Sequence, residues 1–388
     1  MEPIFLDYNS TTPTDPEVLD AMIPYFSLKF GNPASKNHLF GIESKNAVDK
    51  AREQIASLVN CHPKEIVFTS GATESINLAL KGYHSLNPQS QCAHLPIEHK
   101  AVMDVLLSLK KDGLNSQELQ IHNTGIINLN YLTNYFNEKS SYLIIAMHAN
   151  NEIGVIQPIK EIVDICKTHN STVFCDAAQS VGKIPVDVKK LGVDMLSISA
   201  HKFYGPKGIG ALYINRESKL SLKSQIDGGG HEFGLRSGTL NVPSIVGFGK
   251  AAELAKNRMS QDMKRITKLR DMLLQKLNNN IDNIFVNGTM EQRLPNNVNV
   301  SFSGLDGDSL LVNIDDIALS NGAACSSMIK EPSYVLKALG LDNKLANASI
   351  RFGIGRETTE KEINYTVKKF MSVVENLREI EKMKSDFS

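Results

Sequence analysis

The stretch Asp194-Met-Leu-Ser-Ile-Ser-Ala-His-Lys202 places a short apolar run directly before a histidine and a lysine. The residues Gly205-Pro-Lys-Gly208 follow and indicate a turn. A short apolar run bounded by such a turn is typical of a strand buried in an α/β sheet. In these sheets, ligands bind outside the carboxyl ends of the strands. We therefore predict a buried strand with Lys202 held at its functional end.

Other apolar runs of the same kind occur on both sides of this strand. They are Glu65–Thr69, Tyr142–Met147, Thr172–Cys175 and Gly210–Ile214. Helical patterns separate them, and one is an amphipathic stripe that ends at Gly113 and consists of Val102, Val105, Leu106 and Leu109. This alternation predicts an α/β fold, with a mainly parallel sheet covered by helices.

The last third of the chain shows a different pattern. After Pro243 there is no proline as far as about Asn278, and no glycine beyond Gly249, which predicts one or two long helices. Short strands are then expected between helices, at Val298–Phe302, Ile317–Leu319 and Ser349–Phe352. Thr359-x-x-Glu362 is a capping box and predicts the start of the last helix.

Composition excludes several classes of protein. The 388 residues carry 42 basic and 42 acidic side chains, so the net charge is zero, which argues against a general nucleic-acid binder. The sequence starting at Met1 shows neither a signal peptide nor an apolar run long enough to span a membrane. The five cysteines are scattered and form no C-x-x-C, which argues against a disulfide framework or a metal site. We expect a cytoplasmic protein with reduced thiols.

Two further polar residues follow a neighbouring strand. Asp176 and Gln179 come directly after the run Thr172–Cys175. A lysine amine can form a Schiff base with an aldehyde cofactor, and a carboxylate can pair with a protonated pyridine nitrogen. Gln179 could then donate a hydrogen bond to the hydroxyl of such a ring. Taken singly, Lys202 also suits a surface lysine beside a turn, and Asp176 suits a helix N-cap.

Other candidates lie where strands turn into loops or helices. Ser70-Gly-Ala-Thr73 resembles a turn that binds phosphate through backbone amides at a helix N-terminus, although many such turns bind nothing. His99 opens a helix and could move protons or stack on a flat ring. Asn151 lies in a polar loop after Tyr142–Met147. The alternative for that loop is simple turn chemistry.

Cys325 differs from the other four cysteines in its surroundings. It lies in Ser320-Asn-Gly-Ala-Ala-Cys-Ser-Ser327, whose small residues are typical of an exposed loop where a thiol is accessible. The remaining cysteines lie in helix-like or strand-like segments and are expected to be packing residues: Cys61, Cys92, Cys166 and Cys175. Without further context, a loop cysteine can also be without function.

Seven motifs carry a resemblance to a known family. In chain order they are Gly71-Ala-Thr-Glu-Ser75, Glu98-His-Lys-Ala101, Asn150-Asn-Glu-Ile-Gly154, Asp176-Ala-Ala-Gln-Ser180, Ser199-Ala-His-Lys202, Arg236-Ser-Gly-Thr239 and Ala324-Cys-Ser326. In this order and spacing, the chain resembles the cysteine desulfurases of the NifS/IscS type, which belong to the class-V aminotransferases. The match runs from Phe5-Leu-Asp-Tyr-Asn9 to Ser349-Ile-Arg-Phe352 and so covers nearly the whole chain.

The resemblance implies a fold-type I pyridoxal-phosphate enzyme that forms a homodimer with active sites near the subunit interface. The large domain would contain a mainly parallel seven-stranded sheet, and the smaller C-terminal domain would be α+β and carry the catalytic cysteine loop. We place the large, cofactor-binding domain at residues 15–255. The small domain would combine residues 1–14 and 256–388.

The resemblance also assigns the cofactor site. Lys202 would be the Schiff-base lysine, Asp176 would pair with the pyridine nitrogen, and His99 would stack on the ring and move protons. The residues expected to hold the remaining parts of the cofactor are Ala72, Thr73, Ser199 and His201 for the phosphate, Thr239 of the other subunit for the same phosphate, Gln179 for the ring hydroxyl, and Asn151.

The implied reaction removes sulfur from L-cysteine. Asn151 and Arg351 would hold the substrate carboxylate, and Cys325 would attack the substrate sulfur. The products would be L-alanine and a persulfide on Cys325, which passes its sulfur to an acceptor such as an iron–sulfur scaffold protein. The sequence leaves open which acceptor and pathway are served, and whether cysteine or selenocysteine is preferred.

Two alternative functions would also be compatible with parts of this pattern. The first is another fold-type I enzyme, such as an aminotransferase or a selenocysteine lyase. Cys325 argues against the aminotransferase, because transamination requires no thiol. The second is a non-catalytic scaffold that keeps the fold. It has no need for Lys202, Asp176, His99 and Cys325 together.

Overall fold

The computed structural model describes residues 3–136, 142–321 and 331–386. Within these ranges the strands are β1 (Ile4–Phe5), β2 (Ile66–Thr69), β3 (Gln91–His94), β4 (Ser116–Glu118), β5 (Tyr142–Met147), β6 (Thr172–Asp176), β7 (Met195–Ser199), β8 (Gly210–Ile214), β9 (Ile284–Val286), β10 (Asn297–Phe302), β11 (Ile317–Ala318) and β12 (Ser349–Gly353).

The α-helices of the same ranges alternate with these strands. They are α1 (Pro16–Met22), α2 (Pro24–Ser27), α3 (Leu39–Val59), α4 (Ala72–Leu86), α5 (Lys100–Lys111), α6 (Leu129–Tyr135), α7 (Ile159–Thr168), α8 (Val188–Leu191), α9 (Val242–Asn280), α10 (Gly307–Asn313), α11 (Tyr334–Ala338), α12 (Asn343–Asn347) and α13 (Glu360–Asp386). The side chains of 384–386 lie outside the description.

The large sheet has seven strands in the order β2-β8-β7-β6-β5-β3-β4. The five strands from β7 to β4 are parallel, whereas β8 runs antiparallel to both β7 and β2. The strands β5, β6 and β7 lie side by side, so their carboxyl ends meet at one edge of the sheet. The predicted α/β class and the mainly parallel sheet of seven strands are confirmed.

A second sheet has the order β12-β10-β9 and is antiparallel. Its apolar side chains form a cluster that joins Ile4 and Leu6 to residues between 266 and 374. The seven-stranded sheet has its own clusters on its two faces. The proposed division at residue 255 falls inside α9, which is one continuous helix. The domain bounds therefore stay a prediction.

Local signals placed most of these elements correctly. The stripe Val102, Val105, Leu106 and Leu109 is buried on α5. At the start of α13, Thr359 Oγ1 accepts the amide of Glu362, and the Glu362 carboxylate accepts the amide of Thr359. This is the predicted capping box. None of the described helices combines the length and the hydropathy needed to cross a bilayer.

Candidate active site

Lys202 lies in a short 3₁₀ turn, Ala200–Lys202, directly after β7. Its Nζ atom donates to the backbone oxygens of Asn9 and Ser10, at 2.8 Å and 2.6 Å. Burial lowers the pKa of Lys202 to about 8, and the charge of Arg351 acts in the same direction, while Asp176 and Asp7 raise it. The deprotonated amine, which a nucleophile or base requires, is therefore far more populated near neutral pH than in an ordinary lysine.

Asp176 is the last residue of β6, beside β7. Its Oδ1 atom accepts from the Ser197 hydroxyl at 2.6 Å and from the Ala178 amide at 3.0 Å. The side chain is buried. These hydrogen bonds hold the carboxylate in one orientation, which suits it to pair with a cationic ring nitrogen.

Gln179 is joined to Lys202 through the N-terminal segment. Its Nε2 atom donates to the backbone oxygen of Asn9 at 2.9 Å, which is the same oxygen that Lys202 contacts. Its Oε1 atom accepts from Nζ of Lys183 at 2.8 Å. Burial lowers the pKa of Lys183 well below its usual value. The Gln179 amide is therefore fixed next to the lysine of the site.

His99 is the N-cap of α5, and its Nδ1 atom accepts from the amide of Ala101 at 3.1 Å. The residue keeps contact with solvent, but many protein atoms lie around its ring. This partial desolvation lowers the pKa of His99, with the charge of Lys202 acting in the same direction and Asp176 opposing it. The neutral ring consequently carries its proton on Nε2, because Nδ1 is used as an acceptor.

The turn at Gly71 leads into α4. Gly71 has φ of +154° and provides no side-chain cap, so the first-turn amides of Ala72 and Thr73 remain available to an anion. Gly210 at the start of β8 lies against this turn, and a Cβ atom there would stand 2.7 Å from the Cα of Gly71. The two glycines together allow the turn to lie against the end of the sheet.

Ser199 is the last residue of β7, and His201 lies in the 3₁₀ turn that follows it. Ser199 is buried at the end of the strand, opposite Gly210 in the register. His201 Nδ1 is paired with the Thr11 hydroxyl at 3.0 Å. Burial and then the nearby Lys202 charge lower the pKa of His201 to about 4. A neutral His201 with Nδ1 engaged can present its other ring nitrogen to a ligand.

Arg351 reaches the site from β12 of the smaller sheet. Its Nη2 atom pairs with Asp7 Oδ1 at 2.6 Å, and its Nη1 atom donates to the backbone oxygen of Asn151 at 3.2 Å. Its Nε atom is buried without a hydrogen-bond partner among the described residues. A buried guanidinium with an unused donor suits a ligand carboxylate.

Thr239 is not brought to this cluster, and Cys325 is not among the described residues. Thr239 is exposed, and within 3–136, 142–321 and 331–386 no hydrogen bond joins it to the other candidates. Its loop is held in this chain by an ion pair of 2.8 Å between Arg236 and Glu74. Cys325 lies outside the described residues, so its role stays a prediction.

The four other cysteines are free and mostly buried. Burial raises the pKa of the thiols of Cys61, Cys92 and Cys166 to about 12. It raises that of Cys175 further above its usual value. Thiols of this kind are poor nucleophiles at neutral pH, which agrees with the packing role predicted for them.

Sequence reasoning missed several residues that support the site. The backbone oxygens of Asn9 and Ser10 bind Lys202, Asp7 pairs with Arg351, and Ser197 holds Asp176. Asp7 and Asn9 lie in the motif Phe5–Asn9, which gave no role to either. Ser197 had a weak signal, because it is a hydroxyl within an apolar run and lies two residues before Ser199 on the same face.

These features meet the requirements of pyridoxal phosphate. The uncapped start of α4 suits a phosphate, and the oriented Asp176 suits a protonated ring nitrogen. Lys202 provides an amine whose pKa is close to neutral. The buried Arg351 Nε adds an unused donor for a substrate carboxylate. The donor set therefore fits the cofactor that the sequence predicted.

Comparison with known proteins gives the same answer. The profile of the family Aminotransferase class-V matches residues 4–366. Cysteine desulfurase IscS of Rickettsia bellii is 48% identical over 380 residues, covering 97% of this chain and 92% of its own length. Cysteine desulfurase IscS of Anaeromyxobacter dehalogenans is 48% identical over 381 residues, covering 97% of this chain and 94% of its own length.

Solved structures agree with these relatives. A NifS-like protein superposes with a TM-score of 0.90 at 37% identity, covering 97% of this chain and all of the other. SspA in complex with cysteine superposes with a TM-score of 0.79 at 34% identity, covering 90% of this chain and 98% of the other. By fold, by site and by descent, this chain belongs to the class-V aminotransferase family and, within it, to the pyridoxal-phosphate-dependent cysteine desulfurases.

Proposed function

We propose that the enzyme removes sulfur from L-cysteine with Lys202 as the cofactor lysine and Cys325 as the sulfur acceptor. The observation that carries the proposal is the environment of Lys202. Its amine is held by the backbone oxygens of Asn9 and Ser10, and burial together with the charge of Arg351 lowers its pKa to about 8. When bound, pyridoxal phosphate supplies an electron sink that stabilises negative charge on the substrate carbon.

The residues of the chain divide the remaining work. The Lys202 amine takes the α-proton of the substrate, and burial keeps the pKa of this amine close to neutral. Asp176, oriented by Ser197, maintains the positive charge of the ring nitrogen. Arg351, which donates to the backbone oxygen of Asn151, would bind the substrate carboxylate together with that residue, and neutral His99 would offer its Nε2 proton to the cofactor ring.

Sulfur transfer from the substrate to Cys325 requires no external oxidant or reductant. The Cys325 thiolate attacks the substrate sulfur, and the bond between that sulfur and the substrate carbon breaks with its electron pair left on the substrate. Protonation of this carbon gives L-alanine, while Cys325 keeps the sulfur as a persulfide. We propose that a sulfur-acceptor protein, such as an iron–sulfur scaffold, then takes this sulfur in the cytoplasm.

The decisive experiment separates cofactor chemistry from sulfur transfer. Purified holoenzyme is mixed with L-cysteine, and alanine, sulfide and the cofactor absorbance are followed together. The Cys325→Ala variant should keep the cofactor and its absorbance change with cysteine, yet form alanine only at background level. Variants of Cys61, Cys92, Cys166 and Cys175 should keep turnover. Alanine production by Cys325→Ala at the wild-type rate would show that the proposed mechanism is wrong.

The proposed active unit is a homodimer in which Thr239 completes the phosphate site of the other subunit. The exposed position of Thr239 supports this, and so does an exposed apolar surface (Leu19, Ile23, Phe26, Leu28, Phe30, Leu39, Phe40 and Ile42). An apolar surface of this kind marks a contact with another protein. A second copy of the chain would cover it.

Subunit mixing tests the shared site. The Lys202→Ala and Thr239→Ala proteins should each be weakly active or inactive, but a mixed dimer would have one site with both defects and one site with neither. Activity should therefore recover after exchange of subunits. Absence of recovery, once exchange is confirmed by mass, would contradict the shared phosphate site.

A further inference from the structure

Helix α11 begins close to the point where the described chain resumes at residue 331. The helix packs into the apolar cluster of the seven-stranded sheet, although it comes after β11 in the chain. The contacts are made by Val335, Leu336 and, just after the helix, Leu339. The start of the described chain after residue 330 is thus attached, through α11, to the sheet that holds Lys202 and Asp176.

Two side chains at the start of α11 make hydrogen bonds to active-site loops. The hydroxyl of Ser333, the N-cap, donates to Glu152 Oε2 at 2.5 Å. The hydroxyl of Tyr334 donates to the backbone oxygen of Glu98. Glu152 is the neighbour of Asn151, and Glu98 is the neighbour of His99. We call these two hydrogen bonds the α11 anchors.

Glu152 is also fixed from other directions. Its backbone oxygen accepts from the side-chain amides of Asn297 and Asn299 on β10, at 3.2 Å and 3.3 Å. Its carboxyl is buried, which raises its pKa to about 7, while Ser333 and the charge of Arg351 lower it. Loss of the hydrogen bond from Ser333 would leave a buried carboxyl without this donor, at a substantial desolvation cost. This cost stabilises the hydrogen bond.

The segment before Cys325 is attached next to the substrate residues as well. The amide of Arg351 donates to the backbone oxygen of Ser320 at 2.6 Å. The side-chain amide of Asn321 donates to Asp308 at 3.2 Å. Both flanks of residues 322–330 are therefore attached to elements that also carry substrate-binding candidates.

We propose that Glu152 is a positioning residue for sulfur transfer. By accepting the Ser333 hydroxyl it fixes the start of α11, and with it the downstream attachment of the segment containing Cys325, relative to the loop of Asn151. This inference rests on the proposed role of Cys325. Arg351 is held by Asp7 and by the backbone oxygen of Asn151, so we expect loss of the anchor to affect delivery of the thiol to the substrate sulfur far more than substrate binding.

A single-turnover experiment on the holoenzyme separates the two steps. After mixing with L-cysteine, stopped-flow absorbance of the cofactor reports substrate binding. Alkylation followed by mass spectrometry reports persulfide on Cys325. We expect Ser333→Ala and Glu152→Ala to slow persulfide formation by roughly 10- to 100-fold, as expected when a reacting group is displaced by a fraction of an ångström to an ångström. The absorbance change should keep its wild-type rate.

Three further variants test the assignment. Glu152→Gln keeps an oxygen that accepts from Ser333, so it should restore most of the rate. The double variant Glu152→Ala/Ser333→Ala should be no slower than either single variant, because both remove the same contact. Asp342→Ala removes the N-cap of the next helix, α12, and should leave persulfide formation unchanged.

The outcomes distinguish this inference from the proposed function. Wild-type rates of persulfide formation in Ser333→Ala and Glu152→Ala would overturn the positioning role alone. An equal loss in binding and in persulfide formation would also overturn it, since Glu152 would then act on the whole site. Absence of persulfide on Cys325 in the wild-type enzyme would remove the proposed function and this inference with it.

Discussion

The two main sheets contribute to the active site in different ways. The seven-stranded sheet supplies Lys202 and Asp176 from the ends of neighbouring strands, so their relative positions follow from the pairing of β6 with β7. The three-stranded sheet supplies Arg351, which is held in the site through Asp7 and Asn151. With the proposed roles of these residues, cofactor chemistry would depend on local strand geometry, whereas substrate binding would depend on how two separate parts of the molecule pack together.

The largest loss of activity is expected from a substitution at the end of the seven-stranded sheet. Lys202→Ala removes both the cofactor lysine and the base, so alanine formation should fall by more than about 10³-fold. Borohydride reduction followed by peptide mapping should place the pyridoxyl group on Lys202 in the wild-type enzyme. Lys207→Ala, an exposed lysine of the following turn, is the matched control and should keep activity. A pyridoxyl group on another lysine would contradict the assignment.

A smaller effect is expected from the three-stranded sheet. Arg351→Lys keeps the charge but loses the planar fork that binds a carboxylate through two hydrogen bonds. Hydrogen bonds to charged groups contribute about 1.5–3 kcal/mol, so kcat/KM for cysteine should fall roughly 10- to 100-fold, with the change mainly in KM. The cofactor spectrum without substrate should not change.

The control for this variant is Arg270→Lys, which alters another buried arginine away from the candidate residues. It should lower stability without raising KM. If Arg351→Lys changed the cofactor spectrum and left KM unchanged, the two sheets would not have the separate roles described above.

The same contrast explains what the sequence could predict. The ends of β6 and β7 were predictable because an apolar run followed by polar residues is a local pattern, and the motifs containing Asp176 and Lys202 reinforce it. The pair formed by Asp7 and Arg351 was not predictable in this way, because 344 positions separate the two residues and no local pattern records their contact. The anchor between Glu152 and Ser333 was missed for the same reason.

The course of α9 shows another limit. The absence of helix breakers after Pro243 predicted helical structure but left one or two helices open. The structure has a single helix, Val242–Asn280, that passes through the predicted boundary at 255. Composition can indicate where a helix is allowed, but tertiary packing on both apolar clusters decides whether it continues.

The contact between the sheets can be weakened more gently through Asp7. Asp7→Asn keeps the shape of the side chain but removes the charge that pairs with Arg351 Nη2. We expect kcat/KM for cysteine to fall roughly 2- to 10-fold, which corresponds to one hydrogen bond of about 0.5–1.5 kcal/mol. Asp49→Asn, in an exposed ion pair with Lys45, is the control. Tighter binding of cysteine by Asp7→Asn would mean that Asp7 competes with the substrate rather than orienting Arg351.

A separate effect concerns stability at the joint between the sheets, where the backbone oxygen of Glu152 accepts from the side-chain amides of Asn297 and Asn299 of β10. Its pKa in the folded state is about 7, above the ordinary value of 4.5, because burial disfavours the charged carboxylate. The folded state therefore binds this proton more tightly than the unfolded state. The contribution of the carboxyl to stability is fully present below about pH 4.5 and is lost as the pH rises through about 7.

Glu152→Gln cannot titrate, so comparing it with the wild type isolates this contribution. The free energy of unfolding of the variant minus that of the wild type should increase between pH 5 and pH 8, by on the order of 2–3 kcal/mol. Urea denaturation of both proteins without cofactor, at the same protein concentration and at several pH values, measures the difference. Other titrating groups are common to both proteins and largely cancel. A difference that stays constant with pH would mean that the Glu152 carboxyl keeps an ordinary pKa, and that the joint between the two sheets carries no buried titrating group at this position.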